Sequence, residues 1–157
     1  AHVLVGKWLS VTLISIVQCY AMYLFAWLVF DVAIWEVAGG LLLLTVVTSL
    51  ATTGFGMLLA SFCKSPEQLD AIGTIAVLAM SAIGGSMVPR WIMPDIMLTL
   101  GLFTINGWSY DGFMALVSGQ GLAGIAGKCA VLVAIAIGMT TFASVLLTRR
   151  LRGEPSR

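Results

Sequence analysis

Charge is scarce in this chain. Only 10% of its 157 residues are Asp, Glu, Lys or Arg, against roughly 25% in an ordinary soluble domain. A water-soluble fold of this length needs charged helix faces, and long stretches here have none on any face. The net charge of +1 is too small for a nucleic-acid footprint, and the basic residues cluster instead of tracking a groove. Histidine is limited to His2, which has no partner nearby in sequence. Cys19, Cys63 and Cys129 show neither CxxC nor Cys/His spacing, so they read as small buried thiols and not as a metal site or disulfide framework. No GxxxxGK[ST] phosphate loop occurs, which excludes ATP hydrolysis by that route. No n-region followed by a small-residue cleavage site is visible. Asp31, Glu36, Asp95 and Asp111 form no recognisable acid/base pair or metal motif. Met80, Met87, Met93, Met97 and Met114 lack His or Cys on a shared face and are better read as filling for an irregular apolar core than as soft-metal ligands. No catalytic, cofactor-binding or metal-binding residue is assigned.

Apolar residues, by contrast, are plentiful at 60%. A helix needs about 20 of them in succession to cross the ~30 Å hydrocarbon layer. Four stretches are expected to do so: residues 8–30, 37–62, 72–88 and 125–148. The fold class is therefore all-α, a polytopic helical membrane protein forming a single transmembrane domain over 1–157. The second stretch carries the small residues of "SLATTGFGMLLAS", which suit a close helix contact in lipid or reflect only the frequency of glycine in membrane helices. Lys128, one turn inside the last span, can snorkel to the interface. The four spans lack a centrally placed ionisable residue, which weighs against ion-coupled transport.

Four spans place both ends on one side. With the termini cytoplasmic, Lys7, Lys64, Arg149, Arg150, Arg152 and Arg157 lie inside, six of the eight basic residues, as the positive-inside rule favours. The segment 149–157, "RRLRGEPSR", is then a basic cytoplasmic tail that can meet anionic lipid. Trp8 and Trp27 lie near the two ends of the first span, where aromatic belts form; ordinary lipid-facing or packed aromatics are the alternative reading.

Residues 89–124 are too apolar for a solvated loop, yet "IMLTLGLFTI" covers only about half a span. A re-entrant or interfacial helical pair is expected, leaning on protein that satisfies its backbone. Gly84-Gly85 permits a bend, Pro89 bars helix continuation, and Pro94 can open a new helix. Arg90 and Trp91 suit a hydrated and an interfacial depth. The pair is expected to turn at Asn106-Gly107 and climb back from Trp108. Gly84, Gly85, Pro89, Arg90, Pro94, Asn106 and Trp108 are the candidate outer gate; closure of a path and simple packing of the bundle share this geometry. In "CKSPEQLD", Ser65 reads as N-cap, Pro66 as first helical residue and Gln68 as the capping-box partner. Lys64, Ser65, Glu67 and Gln68 form a candidate cytoplasmic loop, either a helix start or a contact for a partner.

The order of three pieces, "VGKWLSVTLISIVQCYAMYLF", then "GFGMLLASFCKSPEQLDAIGTIAVLAMSAIGGSMVPRWIMPDIM", then "NGWSYDGFMALVSGQGL", resembles the C-terminal half of a type-2 ATP-binding-cassette exporter permease. The matching elements are Gly6-Lys7, Lys64-Ser65 with Gln68, Gly84-Gly85 with Pro89 and Pro94, Trp108 with Asp111-Gly112, and Arg149-Arg150, over nearly the whole chain. The resemblance implies a permease half in the cell membrane that pairs with a second permease half. It also implies cytosolic ATP-binding subunits that hold the ATP, and a hydrophobic or amphipathic substrate expelled outward. Such permeases carry six spans, so the chain is expected to be a fragment equivalent to spans three to six. A channel or secondary carrier, and a noncatalytic assembly or signalling subunit, are the other classes compatible with the composition.

Overall fold

The computed structural model describes residues 2–31 and 34–153. Positions 32–33 of the first loop and 154–157 of the basic tail lie outside the described residues. Six α-helices follow in order: α1 His2–Phe30, α2 Ala38–Phe62, α3 Pro66–Gly84, α4 Asp95–Gly101, α5 Ile105–Val117 and α6 Gly121–Gly153. Single 3-10 turns at Ile34–Val37 and Arg90–Ile92 precede α2 and α4. No strand occurs among the described residues. The four longest helices, α1, α2, α3 and α6, are long and apolar enough to cross a membrane.

α2 is the central helix. Leu41, Leu44, Val47 and Ala51 line its buried stripe, met by Ile125, Cys129, Leu132 and Ala136 of α6 and by Ile105, Ala115 and Leu116 of α5. In lipid, apolar side chains gain nothing by leaving solvent, so close packing and interhelical hydrogen bonds carry the association. Small residues permit it. A Cβ on Gly54 would lie 2.9 Å from Thr140 Oγ1 and 3.3 Å from the Ala136 carbonyl, while one on Gly40 would overlap Leu116 and reach 3.6 Å from Ile125 Cδ1. These contacts put α2 and α6 side by side and parallel, so the small-residue half of α2 does serve a close contact at Gly54; Gly56, two residues on, meets nothing.

α1 runs antiparallel to α2 and touches it through a narrow polar seam. Ser15 donates to Ser49 Oγ at 3.2 Å, and the Tyr23 and Thr45 hydroxyls lie 3.1 Å apart. Much of α1 is exposed apolar surface, Leu13, Ile14, Val17 and Leu28 among it. α3 is similarly bare along most of its length. The start of α1, the end of α6 and the α2–α3 connection therefore share one end of the bundle, here the near end; the α1–α2 and α5–α6 connections share the far end.

The third span occupies different residues from the expected 72–88. Its helix begins at Pro66 because the Ser65 hydroxyl accepts the Gln68 N–H at 3.2 Å, a cap that sets the helix start whatever the hydropathy of the first turn. It ends at Gly84 because Gly85 adopts φ 94°, and the Ser81 carbonyl then takes N–H groups from Gly85, Ser86 and Met87. Pro89 is thus not the residue that stops the helix. Gly85 tolerates this left-handed conformation, which most side chains resist. The last helix likewise starts at Gly121, four residues before the expected 125, and Lys128 bends back so that its Nζ donates to the Gly124 carbonyl at 2.8 Å.

Candidate functional site

α4 and α5 form a short helical pair between α3 and α6. At the usual rise per residue they measure about 10 and 20 Å, less than the hydrocarbon thickness. α5 lies antiparallel to the first half of α2: Leu116 packs on Gly40, Gly112 on Leu44, and the Ser109 and Thr48 hydroxyls lie 3.1 Å apart. Each step is one helical turn on both helices. The start of α5 is consequently level with Thr52, about halfway along α2, and Asn106 shares a cavity wall with Thr52.

The turn between the two helices falls at 102–104, not at Asn106-Gly107 as the Asn-Gly pair suggests. Thr104 is the reason. As N-cap of α5, its hydroxyl accepts the Gly107 N–H at 3.0 Å and donates to the Gly101 carbonyl at 2.8 Å, holding both helix ends. Asn106 and Gly107 belong to the first turn of α5, and glycine at 107 serves close approach: a Cβ there would overlap the carbonyl of Gly101. Trp108 closes the same turn, its Nε1–H donating to the Leu102 carbonyl at 2.7 Å. The Gly84 backbone fits against this junction, where a Cβ would come 2.5 Å from Asn106 Cβ and 2.9 Å from the Gly107 nitrogen. Asn106 Nδ2 ties α5 to the end of α3 through Ser81 Oγ at 3.0 Å and Ser86 Oγ at 3.1 Å.

Arg90 is folded inward, not hydrated as expected. Its guanidinium makes an ion pair with Asp111 of α5 and lies 5.7 Å over the ring of Tyr110. The side chains of Arg90 and Asp111 are 16% and 32% exposed, so the pair is held partly out of solvent, where breaking it leaves an uncompensated charge. The Arg90 stem crosses Gly85 so closely that a Cβ there would meet its Cγ at 2.5 Å. Trp91, beside it, is 82% exposed.

Gly84, Gly85, Arg90, Asn106 and Trp108 thus converge on one junction of α3, α4 and α5. Pro89 and Pro94 only shape the approach: the Pro89 carbonyl accepts from Ile92, and Pro94 is the N-cap of α4 and not its first residue. Asp111, Tyr110, Ser81, Thr104 and Gly101 complete the junction without having been singled out as gate residues. A signal for the ion pair existed, because Arg90, Asp95 and Asp111 are the only charged residues between positions 71 and 127. Among the described residues no three His, Cys, Asp or Glu side chains converge on a metal position.

Lys64, Ser65, Glu67 and Gln68 lie at the near end, remote from this junction and exposed. Gln68 Oε1 accepts the backbone N–H of Lys64 at 2.9 Å, one residue earlier than a standard capping box, while Ser65 supplies the cap, worth about 1 kcal/mol in such positions. Ser65 caps α3, Glu67 and Gln68 lie in its first turn, and Lys64 precedes it.

Four apolar helices, with a half-length pair inserted beside the central one, define a polytopic α-helical membrane protein. Residues 1–117 match the family model described as ABC-2 type transporter, and the chain belongs to that family. Over 117 residues it is 28% identical to the linearmycin resistance permease protein LnrN of Bacillus subtilis (strain 168). That alignment covers 74% of this chain and 30% of the relative, so the chain spans under a third of the length of the curated relative it matches. No solved structure gives a significant match.

Proposed function

We propose that this chain is the membrane-spanning part of the permease in an ATP-driven exporter. It moves a hydrophobic or amphipathic substrate outward, and the α4–α5 pair closes the outer end of the path. The observation that carries this reading is the half-depth insertion of α4–α5 beside α2, pinned by the Arg90–Asp111 pair. Family membership and the resistance permease among its relatives support the transport direction. ATP binding and hydrolysis belong to separate cytosolic subunits, and a second permease half completes the assembly within the lipid of the cell membrane. Coupling requires that the nucleotide-bound partner bind one arrangement of the helices better than another, since a ligand shifts an equilibrium only by its differential affinity.

The near end is cytoplasmic in this reading, which puts Lys7, Lys64 and Arg149 inside. A reporter active only in the cytoplasm, fused after Arg157, is expected to be active; a silent reporter on well-expressed protein overturns the orientation. The energy source is tested by co-expressing the full-length permease with its candidate ATP-binding subunit. Co-purification and ATP hydrolysis stimulated by the permease are expected, and a permease that transports without nucleotide contradicts the reading.

A further inference from the structure

α3 is held at its far end by α4 and α5 and joined to α2 at the near end by residues 63–65; the two helices diverge between, leaving a groove of about 690 Å³, within the range of small-molecule sites. One face of each helix lines it: Phe55, Gly56 and Leu59 on α2, Gly73 and Val77 on α3. Its ceiling, at mid-depth, is Asn106 of the gate junction, and its near-end mouth holds Asp70. Asp70 is the one charged group of that lining, and no cation of the described residues lies within ion-pair distance of it.

Two glycines make the groove wide. A Cβ on Gly56 or on Gly73 would meet nothing within 4 Å, so neither glycine serves helix contact, although glycine inside a helix costs about 1 kcal/mol relative to alanine. Their absent side chains leave space on both walls at the middle of the groove. From Asp70 to the level of Asn106, marked by its partner Ser81 on α3, the helix rise gives about 16 Å, the reach of an alkyl chain of about twelve carbons. An apolar channel of that length with a lone carboxylate at its mouth is complementary to one kind of molecule.

We propose that the α2–α3 groove is a binding site for a single-chain cationic amphiphile, its head at Asp70 and its tail directed toward Asn106. This deepens the exporter reading and rests on it for the direction of travel: the site opens at the near end and is closed above by the junction that α4 and α5 form. A carboxylate at the edge of a low-dielectric groove favours a cationic head over a neutral or anionic one of equal tail length.

The test uses the full-length permease in lipid nanodiscs, with Cys19, Cys63 and Cys129 replaced by alanine and Gly73→Cys as the single thiol. Alkylation of that thiol by a membrane-permeant maleimide is followed with dodecyltrimethylammonium, dodecyl sulfate or dodecyl maltoside at equal mole fraction. The cation is expected to slow alkylation about tenfold relative to the maltoside, and Asp70→Asn to abolish that difference. Gly56→Leu, whose Cβ would meet nothing within 4 Å, is expected to leave the fold intact and to remove the protection. Equal protection by all three head groups, or cation protection that survives Asp70→Asn or Gly56→Leu, overturns the site. Because no ATP-binding subunit is present, that failure leaves the exporter reading standing. Nucleotide-independent transport by a permease that still shows the protection would sink the exporter reading alone.

Discussion

Gly107→Ala is expected to cost about 3 kcal/mol of stability, near the upper end of the range for overpacking, and to lower the unfolding midpoint in detergent accordingly. The added methyl would overlap the Gly101 carbonyl and approach Thr104 Oγ1 at 3.2 Å. Backbone cannot rotate aside as a flexible side chain can, so the α4–α5 turn must open and the Thr104 hydroxyl must give up its bond to Gly101 or to Gly107. Loss of the second leaves the buried Gly107 N–H unpaired in a setting without water to replace it. Gly73→Ala is the internal control: it lies in a helix interior with open space around it and is expected to be neutral or slightly stabilising. Equal midpoints for the two variants would mean that the tight junction described at Gly107 does not exist in the folded protein.

Arg90→Ala is the second large effect, expected at about 3 kcal/mol because it strands the partly buried Asp111 carboxylate. Asp111→Asn removes the charge but keeps an acceptor, so it is expected to cost less. A double-mutant cycle separates the ion pair from packing of the arginine stem against Gly85. With Arg90→Met and Asp111→Leu as the single changes, a coupling of about 1.5–3 kcal/mol is expected, and the double variant should recover much of the lost stability. A coupling near zero would make Arg90 a packing residue alone. In the exporter reading, Arg90→Ala also loosens the closure, so a small fluorescent solute trapped in vesicles should leak faster through the singly changed permease than through the double variant.

The contrast between these two positions shows what the sequence made legible. Apolar runs of membrane-spanning length marked α1, α2 and α6 with small shifts at their ends, because lipid imposes one requirement along the whole segment. The third helix was harder. Glu67 and Asp70 kept its first turn out of the hydropathy window, but the Ser65-Pro66 capping pattern marks the helix start where the structure has it. At Asn106-Gly107 the turn chemistry of the pair pointed to a reversal, yet Thr104, two residues earlier, caps the helix and leaves the glycine to serve a contact with α4. That contact depends on where two helices cross, which local sequence does not encode. The Arg90–Asp111 pair joins positions 21 apart in sequence, across a turn and two helices. Scarcity of charge in the segment narrowed the acidic partners of Arg90 to Asp95 or Asp111, and only the packing of α5 against α3 selected the second.

In the exporter reading, nucleotide opens a path whose outer half is closed by α4 and α5, with Asn106 at the inner limit of that closure. That opening is tested most directly with Asn106→Cys as the only thiol of the full-length permease, reconstituted in vesicles with its ATP-binding subunit. A membrane-impermeant thiol reagent is added on the far side. The account predicts negligible labelling without nucleotide and clear labelling once ATP is supplied to the near side. Labelling that is the same in both conditions, whether strong or absent, would contradict it.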